Sequence, residues 1–440
     1  MKTDQAKTVL IFAYYWPPAS GPGVQRWLKF VKYLPEKGWN TIVVTPENGS
    51  YPNTDPTLLN DVPDNVCVER TKTLEPFRLF NLITGQANRG NTTSVGMGDI
   101  KGSTSIIKKI SGFIRANFFI PDARKGWVKF AVEKGKELIE KNQIDLIVTT
   151  GPPHSAHLIG LKLKKEFKLP WVADLRDPWT NIYYNKFLPR TQNSNKKDSL
   201  LETKVIQTAD AITVVGNGQK DEFESRAQHI KIIENGYDEE DFSNLKPSGQ
   251  KDVFRLSYIG NLKVNQNCTT LWKVIYELAD EIEGLKDNFR LSFTGNIHSE
   301  VSDTLNKMGI IQLVEILPFV PHDEAVQRMV DAQALLFLIP ESSSNKQIIT
   351  GKIFEYLASG TPLLSIGPTD GDASRILATC NRSPMLDYSD KKNIKAELLR
   401  AYKKWLDKDE PIKIVGEEHS MYSRKNLTFK LADLFEETIS

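Results

Sequence analysis

The residues best placed to do chemistry stand close together in TGKIFEYLASGTPLLSIG, Thr350 to Gly367. On a helix, Lys352, Glu355 and Ser359 fall at i, i+3 and i+7 and share one face, which leaves Ile353, Phe354, Leu357 and Ala358 to face a sheet. A helix beginning after Thr350 would take that residue as its cap. It would also present the amides of Gly351 and its successors at a positive dipole end, which suits phosphate. Lys352 adds a full charge there. Read without a ligand, Lys352 and Glu355 are an exposed pair worth about 0.2–0.5 kcal/mol. Gly360 ends the helix, and Pro362 opens LLSIG, an apolar run with the character of a buried strand.

Other candidates follow apolar runs. IDLIVTT, Ile144 to Thr150, leads into GPPHSAH, which puts His154 just beyond the carboxyl end of a strand, where α/β proteins bind ligands. His154 reads equally as an ordinary loop histidine, and His157, one turn on, as a helix residue. The next strand, in LPWVADLRDPWT, carries Arg176, Asp177 and Trp179 at its tip; Arg176 and Asp177 are either site residues or a structural bridge. In WPPASGPGVQ, Gly21 and Gly23 would let backbone come close to a phosphate or a sugar. Gly371 and Asp372 stand at another helix start, where Asp372 reads as an N-cap.

The elements that must hold these residues repeat twice. Thr8 to Tyr15 is a β-branched and aromatic run without polar alternation, as in a central parallel strand. A Pro/Gly loop follows, then a helix with Trp27, Phe30, Val31 and Leu34 on one face and Gly38 as its stop, then the strand TIVVTP. DAITVV and IKII give further strands, and the polar stretch Leu245 to Asp252 reads as a linker. The pattern then restarts: FRLSYIG and FRLSFTG are strands ending on Gly, and LPFVPH, Leu317 to His322, and ALLFLIP are two more. Both halves are Rossmann-like. At the C-terminus, Leu427, Leu431, Leu434 and Phe435 recur at helical spacing. Ile83 to Ser105, rich in Gly, Asn, Thr and Ser, reads as a surface loop. After it, 106–127 mixes Lys108, Lys109, Arg115, Arg124 and Lys125 with Ile106, Ile107, Ile110, Phe113, Ile114, Phe118 and Phe119. That segment is an amphipathic core helix, a surface for anionic lipid, or both.

With 440 residues the chain can build two cores. Lys and Arg exceed Asp and Glu by two (57 against 55), so the charge balance points to no nucleic-acid partner. Cys67, Cys268 and Cys380 lie far apart, without the spacing of a zinc site or a disulfide framework, which fits a reducing cytoplasm. The apolar run Val9 to Trp16 is too short to span a membrane, and Pro17 and Pro18 stand where a signal peptide would need its cleavage site.

GKIFEYLASGTP resembles the donor-binding motif of GT-B glycosyltransferases, in particular the group 1 (family 4-like) enzymes of bacterial polysaccharide assembly. Asn235 to Asp238 resembles the NGYD or NGVD signature that ends their first domain, and the GPPH and RDPW loops resemble those of capsule and exopolysaccharide transferases. The resemblance covers nearly the whole chain. It implies an α/β GT-B fold, with two Rossmann-like domains facing a central cleft: an acceptor-side domain, 1–245, with 421–440 packing back on it, and a donor domain, 252–420. By the same likeness Glu355 holds the ribose hydroxyls of a nucleotide sugar, His154 lies near the reacting sugar, and Gly21, Gly23, Gly371 and Asp372 lie near the donor. The family's first acid is Gln347 here, and its pyrophosphate Arg and Lys are Asn261 and Asn267, with Lys263 the nearby replacement. The resemblance further implies a retaining hexosyltransferase without metal or other cofactor, acting on a glycan or lipid-linked glycan for capsule, exopolysaccharide or lipopolysaccharide. Such an enzyme would be cytoplasmic and could touch the inner membrane face through 106–127. Two alternatives stand beside it: a catalytically degenerate nucleotide-sugar-binding protein, and a GT-B nucleotide-sugar epimerase.

Overall fold

Seven strands in the first half form one parallel sheet, most of them the apolar runs of the sequence. They are β1 (Lys7–Ala13), β2 (Trp39–Pro46), β3 (Cys67–Thr71), β4 (Leu146–Gly151), β5 (Trp171–Leu175), β6 (Ala211–Val214) and β7 (Ile230–Ile232), in the order β3-β2-β1-β4-β5-β6-β7. The computed structural model describes residues 6–75, 106–182, 185, 188–248, 252–407 and 417–440, and only the backbone of 106–111. The glycine-rich stretch 83–105, and the side chains of Ile106, Ile107, Lys108, Lys109 and Ile110, lie outside the described residues.

β1 shows why the runs do not alternate with polar residues. Leu10 and Phe12 enter the core on one side of the sheet, while Val9, Ile11 and Ala13 enter the core on the other. The second core is closed by the helix Pro22–Tyr33, through Trp27, Phe30 and Val31, and by the C-terminal helix Arg424–Ile439, through Leu427, Leu431, Leu434 and Phe435. Phe435 meets Trp39 edge-on at 5.3 Å. The 3-10 turn after the first helix stops at Gly38, whose φ of 76° favours glycine.

The second sheet is also parallel: β8 (Phe254–Ile259), β9 (Phe289–Thr294), β10 (Val314–Leu317), β11 (Ala334–Leu338) and β12 (Leu363–Ile366), in the order β10-β9-β8-β11-β12. The strand expected over Leu317 to His322 stops at Leu317, and His322 instead opens the helix His322–Asp331. Pro318 and Pro321 lack the N–H groups a sheet ladder needs.

The chain divides into two compact units, residues 1–235 with 424–440, and residues 236–423. The boundary falls inside the NGYD turn, upstream of the stretch read as a linker. The described part of that stretch belongs to the second unit: Ser248 N–H donates to Asp331 Oδ1 at 2.7 Å, and Gln327 Nε2 donates to the Lys246 carbonyl at 2.9 Å.

The helix Ile106–Phe118 is formed, but Phe113, Ile114 and Phe118 are 44%, 45% and 69% exposed. Its role as an ordinary core helix is therefore not fulfilled by these three side chains. No described helix is long and apolar enough to cross a membrane.

Candidate active-site clusters at the carboxyl ends of the sheets

In the second unit the helix Lys352–Ala358 buries Ile353, Phe354, Tyr356 and Leu357 against β11 and β12, which turns Lys352 and Glu355 the other way. Gly260 directly follows the end of β8, with φ of 116°. A Cβ there would stand 2.6 Å from Lys352 Cε and 2.8 Å from Nζ, so the lysine lies across the strand end only because no side chain is present. Lys352 Nζ donates to Tyr258 Oη at 2.7 Å and sits 4.0 Å from the centre of that ring. Burial lowers its pKa to about 8; Glu355 works against the shift and Lys263 adds to it. Lys352, Glu355 and Lys263 thus act on one another at the end of β8.

The other candidates of this unit divide. Asn261 is exposed, and its carbonyl accepts from Tyr258 Oη at 3.1 Å. Asn267 is wholly structural: its amide donates to Thr304 Oγ1 at 2.9 Å, and its oxygen accepts from Trp272 Nε1 at 2.8 Å. Gln347 is exposed at the end of the short turn Asn345–Gln347. The same turn touches the next helix start, since a Cβ on Gly371 would lie 2.9 Å from the Lys346 carbonyl oxygen.

Three residues depart from the roles their spacing suggests. Thr350 does not cap the helix. Gly351 occupies the cap position already in helical conformation (φ −55°, ψ −28°), so the extended geometry that swings a cap hydroxyl onto the first amides is absent, and Thr350 Oγ1 is buried without a hydrogen bond. Ser359 does not join the chemical face, because it is buried and donates to the Tyr356 carbonyl at 2.8 Å. Asp372 is the first residue inside its helix, with Gly371 at the cap; it is buried and pairs with Arg375 Nη1 at 3.0 Å.

In the first unit the clusters meet at the ends of β4 and β5. The GPPH turn is held by Asp122, which accepts from both Ser155 N–H and Ser155 Oγ at 2.8 Å. His154 stacks on Trp179, 4.8 Å between ring centres and 9° from parallel, and Trp179 is fixed by its Nε1 donating to Asp198 at 2.8 Å. Burial, then His157 and Arg176, hold the His154 pKa well below 6.5, so its imidazole is neutral at ordinary pH. His157 is fully buried. It lies 2.9 Å from Thr149 Oγ1, and burial takes its pKa down to about 3.

Arg176 curls back over the β4 end. Its Nε donates to Thr150 Oγ1 at 3.1 Å and to the Gly151 carbonyl at 3.2 Å, and Nη2 donates to the Pro152 carbonyl at 2.8 Å. The bridge weighed for Arg176 and Asp177 is not the one formed: the carboxylate paired with Arg176 is Asp174, at 3.9 Å. Asp177 stays half-buried, its pKa pushed up by burial against the pull of Arg176. Asp174 is itself the hub of a buried network that spacing alone did not reveal; it accepts from Arg26, Trp27, Thr150 and Thr213.

Gly21 caps the helix Pro22–Tyr33 with φ of 126°. The close approach at Gly23 is to protein: a Cβ there would lie 1.6 Å from Arg176 Nη1. Gly23→Ala should therefore drive the guanidinium off its acceptors and cost about 1–3 kcal/mol, measurable as a lower denaturant midpoint. An unchanged midpoint would mean that Arg176 relocates freely.

Among the described residues no group of three His, Cys, Asp or Glu side chains converges as a metal site. No family model matches the chain, and no curated protein matches it. Solved structures do match along nearly its whole length. They include sucrose-phosphate synthase from Thermosynechococcus elongatus (11% identity, TM-score 0.58, 98% of each chain). HepE of Anabaena in complex with UDP-glucose matches at 13% identity and TM-score 0.57, over 98% of this chain and 99% of that one. An alpha,alpha-trehalose-phosphate synthase (UDP-forming) from Burkholderia xenovorans, in complex with glucose-6-phosphate, matches at 9% and 0.61, again over 98% and 99%. At such identities the likeness is one of fold.

Proposed function

We propose that this chain, whose fold is the two-domain α/β GT-B fold, moves a sugar from a nucleoside diphosphate sugar to an acceptor hydroxyl. The observation that carries the reading is Lys352, set across the glycine end of β8 with Glu355 one turn further along its helix. In glycosyl transfer the barrier is departure of a diphosphate from an oxocarbenium-like carbon, so a fixed cation beside the leaving group stabilises charge that grows in the transition state. Lys352 supplies that charge, with Lys263 beside it, and Glu355 accepts the ribose hydroxyls. His154, neutral and stacked, positions a sugar through hydrogen bonding and does not shuttle protons. The structural neighbours that carry UDP-glucose or form UDP support this choice of donor. The motif resemblance supports retention, a metal-free site, and a glycan or lipid-linked glycan acceptor in bacterial polysaccharide assembly. Exposed Phe113, Ile114 and Phe118 support contact with a membrane surface.

A second reading, a binding protein without catalysis, is favoured by the neutral Asn261, Asn267 and Gln347 at positions where the family carries charge. Thermal unfolding with UDP, GDP, ADP and dTDP in turn, on the wild type and on Glu355→Ala, tests the donor site. Ligand at 100 times its dissociation constant adds about 2.7 kcal/mol. One nucleotide should raise the wild-type transition and leave the variant unmoved. No response to any of the four would sink the donor-site assignment, and a response without acceptor-linked product would select the binding protein.

A further inference from the structure

Tyr258 lies in an apolar strand, and nothing in its spacing marks it as functional. Its ring belongs to the core with Phe254, Leu256 and Phe293, yet its hydroxyl leaves that core at the carboxyl edge of the sheet. There it does two things at once. It accepts from Lys352 Nζ at 2.7 Å and donates to the Asn261 carbonyl at 3.1 Å, with Gln266 Oε1 a further 3.4 Å neighbour. Gln266 is anchored in turn: its Nε2 donates to the Leu338 carbonyl of β11 at 2.9 Å, and its Oε1 accepts from Lys263 N–H at 3.2 Å. The hydroxyl therefore ties the lysine to the loop after β8, and Gln266 ties that loop to the neighbouring strand. The ammonium also lies over the face of the ring, where its quadrupole attracts a cation.

We propose that Tyr258 is the positioning residue for Lys352, its hydroxyl and ring face together fixing the ammonium over Gly260 for the diphosphate of a bound donor. The proposal rests on the donor-site reading above for the identity of the ligand, and on geometry alone for the coupling of the two side chains. A lysine otherwise spreads over many rotamers; here the missing Cβ of Gly260 gives it a bed and the tyrosine gives it an end point. Burial lowers its pKa, Glu355 on its own helix opposes that and Lys263 on the loop adds to it; Tyr258 on β8 touches it through hydroxyl and ring, while the Tyr356 hydroxyl is engaged by Ile259 N–H at 3.0 Å. The loop's side chains at Asn261 and Asn267 are uncharged, so placement of the lysine carries more of the task.

Tyr258→Phe keeps the ring and the core and removes only the hydroxyl. Two readouts on the full chain separate its roles. The first is the pH dependence of Lys352 labelling by an amine-reactive reagent, followed by mass spectrometry without any nucleotide. Loss of an acceptor for the charged amine should move the labelling midpoint down from about 8 by about half a unit to one unit. The second is affinity for UDP, GDP, ADP and dTDP, which should fall about tenfold for whichever binds. An unchanged labelling midpoint in Tyr258→Phe overturns the positioning role, whatever the nucleotides do. A shifted midpoint in a chain whose wild type binds none of the four keeps the tyrosine–lysine coupling and overturns the proposed function instead.

Discussion

Asp174→Ala is expected to destabilise the first unit by about 3–5 kcal/mol, the largest stability effect for a single substitution at these sites. Asp174 is 1% exposed at the end of β5. Its Oδ1 accepts from Arg26 Nη2 at 2.9 Å and Thr213 Oγ1 at 2.7 Å, and its Oδ2 accepts from Trp27 Nε1 and Thr150 Oγ1, both at 2.7 Å. These partners come from the helix Pro22–Tyr33 and from the strands on either side of β5, so one carboxylate ties three strands and a helix together just below the Arg176 and His154 loops. Alanine would leave Arg26, fully buried, with an uncompensated charge and three further donors without their acceptor.

The same network sets an acid limit. Burial alone would raise the Asp174 pKa, but Arg26 and Arg176, helped by the hydroxyls of Thr213 and Thr150, hold it at about 2. The folded value lies below the unfolded value of about 3.9. The stabilisation is therefore complete above about pH 4 and is lost as pH falls toward 2. The gap between the denaturant midpoints of wild type and Asp174→Ala should narrow from pH 7 to pH 3. Equal midpoints at pH 7 would show that the network is dispensable.

How much of this was legible follows from where each partner sits in the chain. β1, β4 and β11 are readable because a strand buried on both faces is a short, mostly apolar run without polar alternation, set off by turn residues. β3, CVERT at the sheet edge, buries only Thr71 among its five residues and carries no such signature. Lys352 and Glu355 were readable as a pair because helical spacing puts them together locally. Asp174 was not: its partners Arg26 and Trp27 are 148 and 147 residues away, and no local period connects them. Arg176 and Asp177 stand out as charged residues at a strand tip, whereas a carboxylate inside VADL looks like an interruption. Tyr258 was hidden for the opposite reason, as an aromatic in an apolar run reads as core and most of its surface is core. The cap failed at Thr350 because a threonine before glycine fits the pattern of a cap, while the actual dihedrals of Gly351 start the helix without one.

Lys352→Met should lower kcat/KM for a nucleotide-sugar donor by about 10²–10³, the effect of removing one preorganised charge from a developing oxyanion. Methionine preserves the length of the side chain over Gly260 and Tyr258, so the loss would come from charge and not from a collapsed site. The wild-type pH profile supplies an independent sign. On the proposed reading the free enzyme needs the ammonium, whose pKa of about 8 reflects burial opposed by Glu355, so kcat/KM should fall as pH rises through that value. A bound diphosphate adds negative charge beside the amine and raises its pKa, so the corresponding limb in kcat should lie at higher pH than the limb in kcat/KM. Lys352→Met, with no proton to lose, should show neither limb. A variant with wild-type kcat/KM would remove Lys352 from the reaction, and a variant that is slow but keeps the alkaline limb would assign that titration to another group. An upward shift of the kcat limb relative to the kcat/KM limb is the sign expected of an anion beside the lysine, and it is read without knowledge of the acceptor.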